Sequence, residues 1–393
     1  MLETTYASFR HPAVAPLVQI APDRWVLELF HGPTLAFKDF ALQFLGRLLD
    51  YFLVRRDEHI TIVGATSGDT GSAAISGCHG RANMDIFIFH PYGRVSEVQR
   101  RQMTTVDDAN VHNIALKGTF DDCQDMVKAL FADQAFRTQQ RLVAVNSINW
   151  ARILAQVVYY FYAALALGAP TREVSFSVPT GNFGDIFAGY IARQMGLPIR
   201  DLIIATNNNN ILTRCLKTGE YRMEGVVPTL SPSMDIQISS NFERLLFDLH
   251  GCDGDAINTL MMDLRSHKRF ALDAKRLAKL QGMFTSASVN DTQTVDTIRN
   301  TREASHYLAD PHTAVGIAAA AAHPSPSGVP VVILSTAHPA KFPDAVRKAT
   351  GITPDLPPHM EGLMQAKERY TVLEAGDKEG IQTFIRQQQG QPA

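Results

Sequence analysis

Charge is scarce in this sequence: 19% of its residues are charged, and 37 Lys and Arg against 39 Asp and Glu leave a net charge of −2. Without an excess of positive charge a chain has no bulk electrostatic attraction for nucleic acid or an anionic membrane, so neither is expected as a partner. Cysteine is rarer still. Cys78, Cys123, Cys215 and Cys252 are scattered without paired ligand spacing, and are expected as reduced structural thiols in a cytoplasmic protein. The thirteen histidines include no H-E-x-x-H, so no catalytic metal is expected. No G-x-G-x-x-G follows a strand and no G-x-x-x-x-G-K-[ST] occurs, which argues against a dinucleotide site and a P-loop. Long hydrophobic runs are missing too. The most membrane-like stretch, Ile153 to Gly168, is too short and carries Gln156 and three tyrosines, so it reads as a buried helix. No charged-then-apolar leader opens the chain, and no period of about 20–50 residues repeats.

What is present is an ordinary globular composition, 45% hydrophobic over 393 residues, a length that predicts two domains rather than one. Strand and helix patterns alternate with turn residues between them, which predicts a parallel, helix-covered α/β architecture. The most unusual stretch runs from Glu28 to Leu45: a strand end, a His31-Gly-Pro turn, then a helix that Thr34 can cap, with Phe37, Ala41, Phe44, Leu45 and Leu48 on one face. Lys38 stands in the first turn of that helix. A lysine is almost never fully buried, so its ordinary reading is a surface charge. Here, however, it faces the positive end of the helix dipole between Phe37 and Phe40. Both effects disfavour the ammonium, as a lysine that is to form a Schiff base requires.

Two further stretches follow one pattern of strand, glycine turn and helix. Ile60–Val63 runs into Ala65-Thr-Ser-Gly-Asp-Thr-Gly71, and Ser175–Val178 into Pro179-Thr-Gly-Asn-Phe-Gly-Asp185. Such turns usually bind nothing, but free backbone N–H groups and the helix dipole make them anion sites when they bind. Arg94 follows the buried-strand pattern Met84–Phe89, at the strand end where open α/β sheets place ligands. Asn146-Ser-Ile-Asn-Trp-Ala-Arg152 crowds polar groups at a helix start, where all of them could be caps. His312, opening an alanine-rich helix, is as well explained by capping or core packing as by a site. Val329–Leu334 reads as a central strand delivering Ser335 and Thr336; Lys341, soon after, lacks the apolar setting of Lys38. The tail beyond Glu374 is Gln-rich and is expected to form a short helix and then disorder.

The words His31-Gly-Pro-Thr-x-x-Phe-Lys-Asp39, Ala65–Gly71 and Pro179–Asp185, taken in order, resemble the threonine synthase family. The resemblance runs from about Leu27 to about Thr371. It implies a pyridoxal-phosphate enzyme of fold type II, like tryptophan synthase β, with two parallel-sheet α/β domains and the cofactor between them. The expected boundaries are a smaller domain over 59–167 and a larger cofactor-binding domain of 1–58 plus 168–393, with 250–305 a helical insertion. The lead-in over 1–26 is expected to be loop-rich, and the further helical segment that the family usually carries ahead of it is expected to be missing. By the same resemblance Lys38 holds the cofactor, and Gly181, Asn182, Phe183, Gly184 and Asp185 cradle its phosphate. Thr336 faces its ring nitrogen. Ser67, Asp69 and Thr70 are carried over as substrate-carboxylate or cofactor-contact residues, and Arg94, Ser147, Asn149 and Arg152 as the group that holds the substrate phosphate.

The implied reaction converts O-phospho-L-homoserine and water to L-threonine and phosphate, by γ-elimination followed by β-addition. Two rivals accompany it: a phospho-lyase acting on O-phosphothreonine or O-phosphohomoserine to give 2-oxobutyrate, and a relative that kept the fold and lost the chemistry. The partner implied is a small phosphorylated amino acid, with the protein a monomer or homodimer.

Overall fold

The computed structural model describes residues 1–390. Its strands, in chain order, are β1 Leu17–Ala21, β2 Arg24–Glu28, β3 Ile60–Ala65, β4 Met84–Pro91, β5 Val111–Lys117, β6 Leu142–Ala144, β7 Val174–Pro179, β8 Ile199–Thr206, β9 Glu220–Arg222, β10 Arg269–Ala271, β11 Phe284–Ser288, β12 Val331–Ser335 and β13 Thr371–Glu374. The chain divides into two compact units. The first comprises Met1–Arg10, Gly32–Asn149 and Asp355 onward; the second comprises His11–His31 and Trp150–Pro354.

In the first unit five parallel strands stand in the order β13-β5-β4-β3-β6. Strands β3 and β4 are buried along almost their whole length, as parallel strands covered on both faces must be. Val63, Phe87, Phe89, Ile114 and Leu116 of the sheet pack with Met126, Leu130, Ile381 and Ile385 of its helices. In the second unit six strands run β1-β2-β12-β7-β8-β11, parallel except for the antiparallel β1 at the edge. Val26, Ile203, Ala205 and Ile333 form its core with Val315 and Ala319.

These units differ from the domains expected from sequence. Residues 32–58 join the first unit because the Lys38–Arg56 helix lies against the Asp69–Cys78 helix, Gln43 Nε2 donating to Ser76 Oγ at 2.8 Å. Asp50, on the same helix, pairs with Arg81 at 2.9 Å. The final stretch joins it as well, through β13 on β5 and through Glu368, which accepts from Arg100 Nε at 2.7 Å and Nη2 at 3.0 Å. The Trp150–Ala166 helix goes to the second unit, where Tyr159 and Tyr160 donate to Asp185.

Several strands escaped the sequence reading. The lead-in holds the β1–β2 hairpin; Pro12 and Pro16 precede it and Pro22 sits in its turn, so the prolines punctuate the strands without interrupting them. Residues 250–305 are not wholly helical, since they carry β10 and also β11, which extends the larger sheet. The helix expected in the tail is Lys378–Gln388, and the stretch expected to be disordered ends in 391–393, outside the described residues. Burial pushes the Cys78, Cys123 and Cys215 thiols up to about 12, which makes them inert. Among the described residues no helix is long and apolar enough to cross a membrane.

Candidate active site

Lys38 opens its helix, and the cap is the reverse of the expected one. Thr34 is not the acceptor: its N–H and Oγ1 both donate, at 2.8 Å each, to the carboxylate of Asp39 in the first helical turn. A negative side chain there also suits the helix dipole. The Lys38 side chain is 11% exposed, with Nζ 5.1 Å from the centre of the Phe37 ring and 3.1 Å from Asp69 Oδ2. The dipole and the ring were legible from sequence, but the carboxylate was not. It opposes them, because an anion this close favours the ammonium.

Asp69 is set by the turn that follows β3. Thr66 Oγ1 accepts from Gly68 N at 2.9 Å and from Gly71 N at 2.8 Å, so one hydroxyl ties the loop. Gly68, at φ +142°, takes a conformation that side chains resist, and it starts the Asp69–Cys78 helix. The buried Asp69 carboxylate also accepts from Gln99 Nε2 at 2.7 Å. Of the carried-over loop residues, Ser67 is exposed and Thr70 half-buried. Gln99 was missed; one glutamine on a polar helix carries no signal of what it will meet.

The expected phosphate group is divided. Arg94 is exposed. Ser147 and Asn149 are half-buried in the turn after β6, where Asn146 Oδ1 accepts from Ile148 N at 3.2 Å. All three belong to the first unit. Arg152 belongs to the second, in the first turn of the Trp150–Ala166 helix. It is buried, and its Nε and Nη1 have no hydrogen-bond partner among the described residues. Burial pushes its guanidinium down to about 10. A buried cation with idle donors is costly, and an anion docked on it removes that cost.

After β7 comes the second glycine loop, and a distant segment braces it. Ser239 Oγ donates to Gly181 O at 2.7 Å, while Asn241 donates to Asn182 O from its backbone N at 3.1 Å and from Nδ2 at 3.0 Å. Gly181 has no room for a side chain, since a Cβ would sit 2.9 Å from the Ser233 carbonyl. Ser233 N in turn donates to His312 Nε2 at 3.2 Å, and His312 Nδ1 meets Asp310 Oδ1 at 2.8 Å. His312 is thus a brace for this loop. Asn207 and Asn209, in the run of four asparagines after β8, donate to Asp235 at 2.7 and 2.9 Å and fix the same segment.

Two side chains of this loop turn into the scaffold. The Phe183 ring is buried against Phe242 and Phe284 at 5.3 and 5.7 Å, an anchor worth roughly 1.5–3 kcal/mol. Only its backbone N–H, beside a φ of +62°, is left for a ligand. Asp185 is buried too, and its Oδ1 accepts from Tyr159 at 2.6 Å and Tyr160 at 3.0 Å, so its carboxylate serves the scaffold. Gly181, Asn182 and Gly184 remain partly open at a helix start. A close-approach glycine, a left-handed turn and a helix N-terminus fit a phosphate-bearing group such as that of pyridoxal phosphate.

At the end of β12 Ser335 is committed to the scaffold, its Oγ lying 3.2 Å from Tyr307 OH and 2.9 Å from Thr313 Oγ1. Thr336, next in the chain and just past the strand, is buried. Lys341 departs from expectation: it is fully buried, more so than Lys38.

Comparison with known proteins agrees with this arrangement. Residues 12–258 match the family model "Pyridoxal-phosphate dependent enzyme" and residues 313–385 match "Threonine synthase, C-terminal". The chain is 58% identical to the threonine synthase of Pseudomonas aeruginosa over 98% of its own length and 82% of that protein. The crystal structure of pyridoxal-phosphate-bound threonine synthase from Brucella melitensis superposes with a TM-score of 0.96 at 54% identity, over 99% of this chain and 83% of that one. The yeast threonine synthase structure does so with a TM-score of 0.93 at 45% identity, over 99% and 84%. By sequence and by fold, the chain belongs to the threonine synthase family of pyridoxal-phosphate-dependent enzymes of fold type II.

Proposed function

We propose that this chain converts O-phospho-L-homoserine and water to L-threonine and phosphate. The observation that most supports a phosphorylated substrate is Arg152, a buried guanidinium whose Nε and Nη1 have no partner among the described residues. Its planar fork suits a phosphate dianion better than a lysine would. In this reading Arg152, with Arg94, Ser147 and Asn149, holds the phosphate that leaves Cγ. Gly181, Asn182, Phe183 and Gly184 offer N–H groups, and Asn182 its side chain, to the cofactor phosphate. Asp185 secures that loop from behind, and Thr336 presents a neutral hydroxyl to the ring nitrogen. Pyridoxal phosphate, when bound, supplies the electron sink. Lys38 holds it, takes the proton from Cα, and returns protons along the substrate chain. Ser67, Asp69 and Thr70 line the loop toward the substrate carboxylate or the cofactor. The reading includes a cytoplasmic location, which four free cysteines suit, and a monomer or homodimer.

The test is one assay of the purified, cofactor-loaded protein with O-phosphohomoserine, in which phosphate, threonine and 2-oxobutyrate are quantified together. Phosphate and threonine rising in equal amounts is the expected result. Phosphate with 2-oxobutyrate would establish the phospho-lyase instead, and no phosphate at all would overturn the reading.

A further inference from the structure

Asp69 stands between two partners from different helices. Its Oδ2 faces Lys38 Nζ at 3.1 Å and its Oδ1 accepts from Gln99 Nε2 at 2.7 Å. Gln99 is buried and is itself held, because its Oε1 accepts from Ser96 Oγ at 2.9 Å. Ser96 is the cap of the Glu97–Thr104 helix on which Gln99 sits. The amide lies across Gly68, where a Cβ would stand 2.5 Å from Gln99 Cδ. Glycine at 68 is therefore required twice, by its φ and by the glutamine.

We infer that Gln99 is a positioning residue, whose amide fixes the Asp69 carboxylate so that one oxygen is kept on the Lys38 nitrogen. This rests on Lys38 being the cofactor-holding lysine. An amide is suited to the task because it donates at every pH and carries no charge of its own. Donation to a buried carboxylate favours its anionic form, and the anion in turn favours a proton on the nitrogen it faces. On the Lys38–Arg56 helix, Asp39 follows Lys38 and its carboxylate is turned to Thr34. The Lys38–Arg56 helix presents Lys38; the Glu97–Thr104 helix turns Arg100 and Arg101 to Glu368, at 2.7 and 3.7 Å. The Asp69–Cys78 helix has no second ionisable residue before Cys78. Gln99 is the neutral member that holds the Lys38–Asp69 pair in one geometry.

The test follows the visible absorbance of the cofactor-loaded protein against pH for the wild type, Gln99→Met and Gln99→Glu. Methionine keeps the bulk and removes the donor, so the titration midpoint of the lysine-linked cofactor should fall by about one pH unit. Glutamate donates the same bond when protonated and adds negative charge when ionised, so its midpoint should not fall. A role in packing alone predicts wild-type behaviour for Gln99→Met. An unmoved midpoint, or no titration between about pH 6 and about pH 10 in either protein, overturns the inference. If Gln99→Met does not fold, Ser96→Ala decides: it frees the amide, so a smaller fall is expected and none overturns. Borohydride reduction and peptide mapping of the same samples separate the two readings. A label on another lysine sinks the Lys38 assignment, whereas a label on Lys38 with an unmoved midpoint sinks only the part played by Gln99.

Discussion

Two helices of this protein begin with a buried or nearly buried cation, at the end where the helix dipole disfavours one. Lys38 opens the first with a carboxylate supplied by the fold, Asp69 at 3.1 Å. Arg152, in the first turn of the second, has a guanidinium with two idle nitrogens, and burial pushes it down to about 10. The same local misfit is thus resolved in one unit and left open in the other. A paired cation is stabilised where it stands, whereas one with idle donors would be stabilised by an anion docking on it.

The largest effect tests the paired side. Lys38→Ala should abolish threonine formation and covalent retention of the cofactor with the fold preserved by circular dichroism; full turnover without added amine would refute the assignment. It should also lower the melting temperature, because Asp69 loses its cation, and Lys38→Ala with Asp69→Asn should recover most of that loss.

Arg152→Met should do the opposite to the fold. Removing a buried charge with idle donors should leave the melting temperature unchanged or raised, while kcat/KM for the phosphorylated substrate falls by roughly 30-fold or more, about 2 kcal/mol. Inorganic phosphate should raise the melting temperature of the wild type but not of this variant. An Arg152→Met protein that melts early would show that its idle donors have a structural partner.

Smaller effects probe how the loops are built. The first glycine loop is tied internally by Thr66, and the second externally by Ser239 and Asn241. Ser239→Ala should weaken cofactor binding by roughly 3- to 10-fold, the worth of one hydrogen bond, as read by equilibrium dialysis. The smallest expected effect concerns acid. Arg100 holds the Glu368 carboxyl down at about 2, against an ordinary value of 4.5. A depressed carboxylate contributes stability above its unfolded value and loses it as pH falls through the folded one. The urea midpoints of the wild type and Glu368→Gln should therefore differ at neutral pH and converge between about pH 4.5 and about pH 2.

Legibility followed range along the chain. The words around Lys38, the two glycine loops and the strand before Thr336 are local, since strand, turn and helix preferences act over a few residues. The β1–β2 hairpin hid among prolines that prove to lie beside its strands, and β11 hid in a charged stretch that read as helix. Phe183 and Asp185 were read as part of the second glycine loop, and their side chains turn to Phe242 and to Tyr159, partners about 60 and 26 residues away. His312 was open between cap and site, and contact with Ser233 made it a brace.

By itself the sequence determined the family and the local strand, turn and helix units that carry Lys38 and the two glycine loops, because each is written in adjacent residues whose backbone preferences are short-ranged. Only the tertiary structure decided which charges meet. Lys38, Asp69 and Gln99 stand about thirty residues apart in turn. Their meeting depends on how three helices pack on one sheet, and neither composition nor periodicity encodes packing between elements so far apart along the chain.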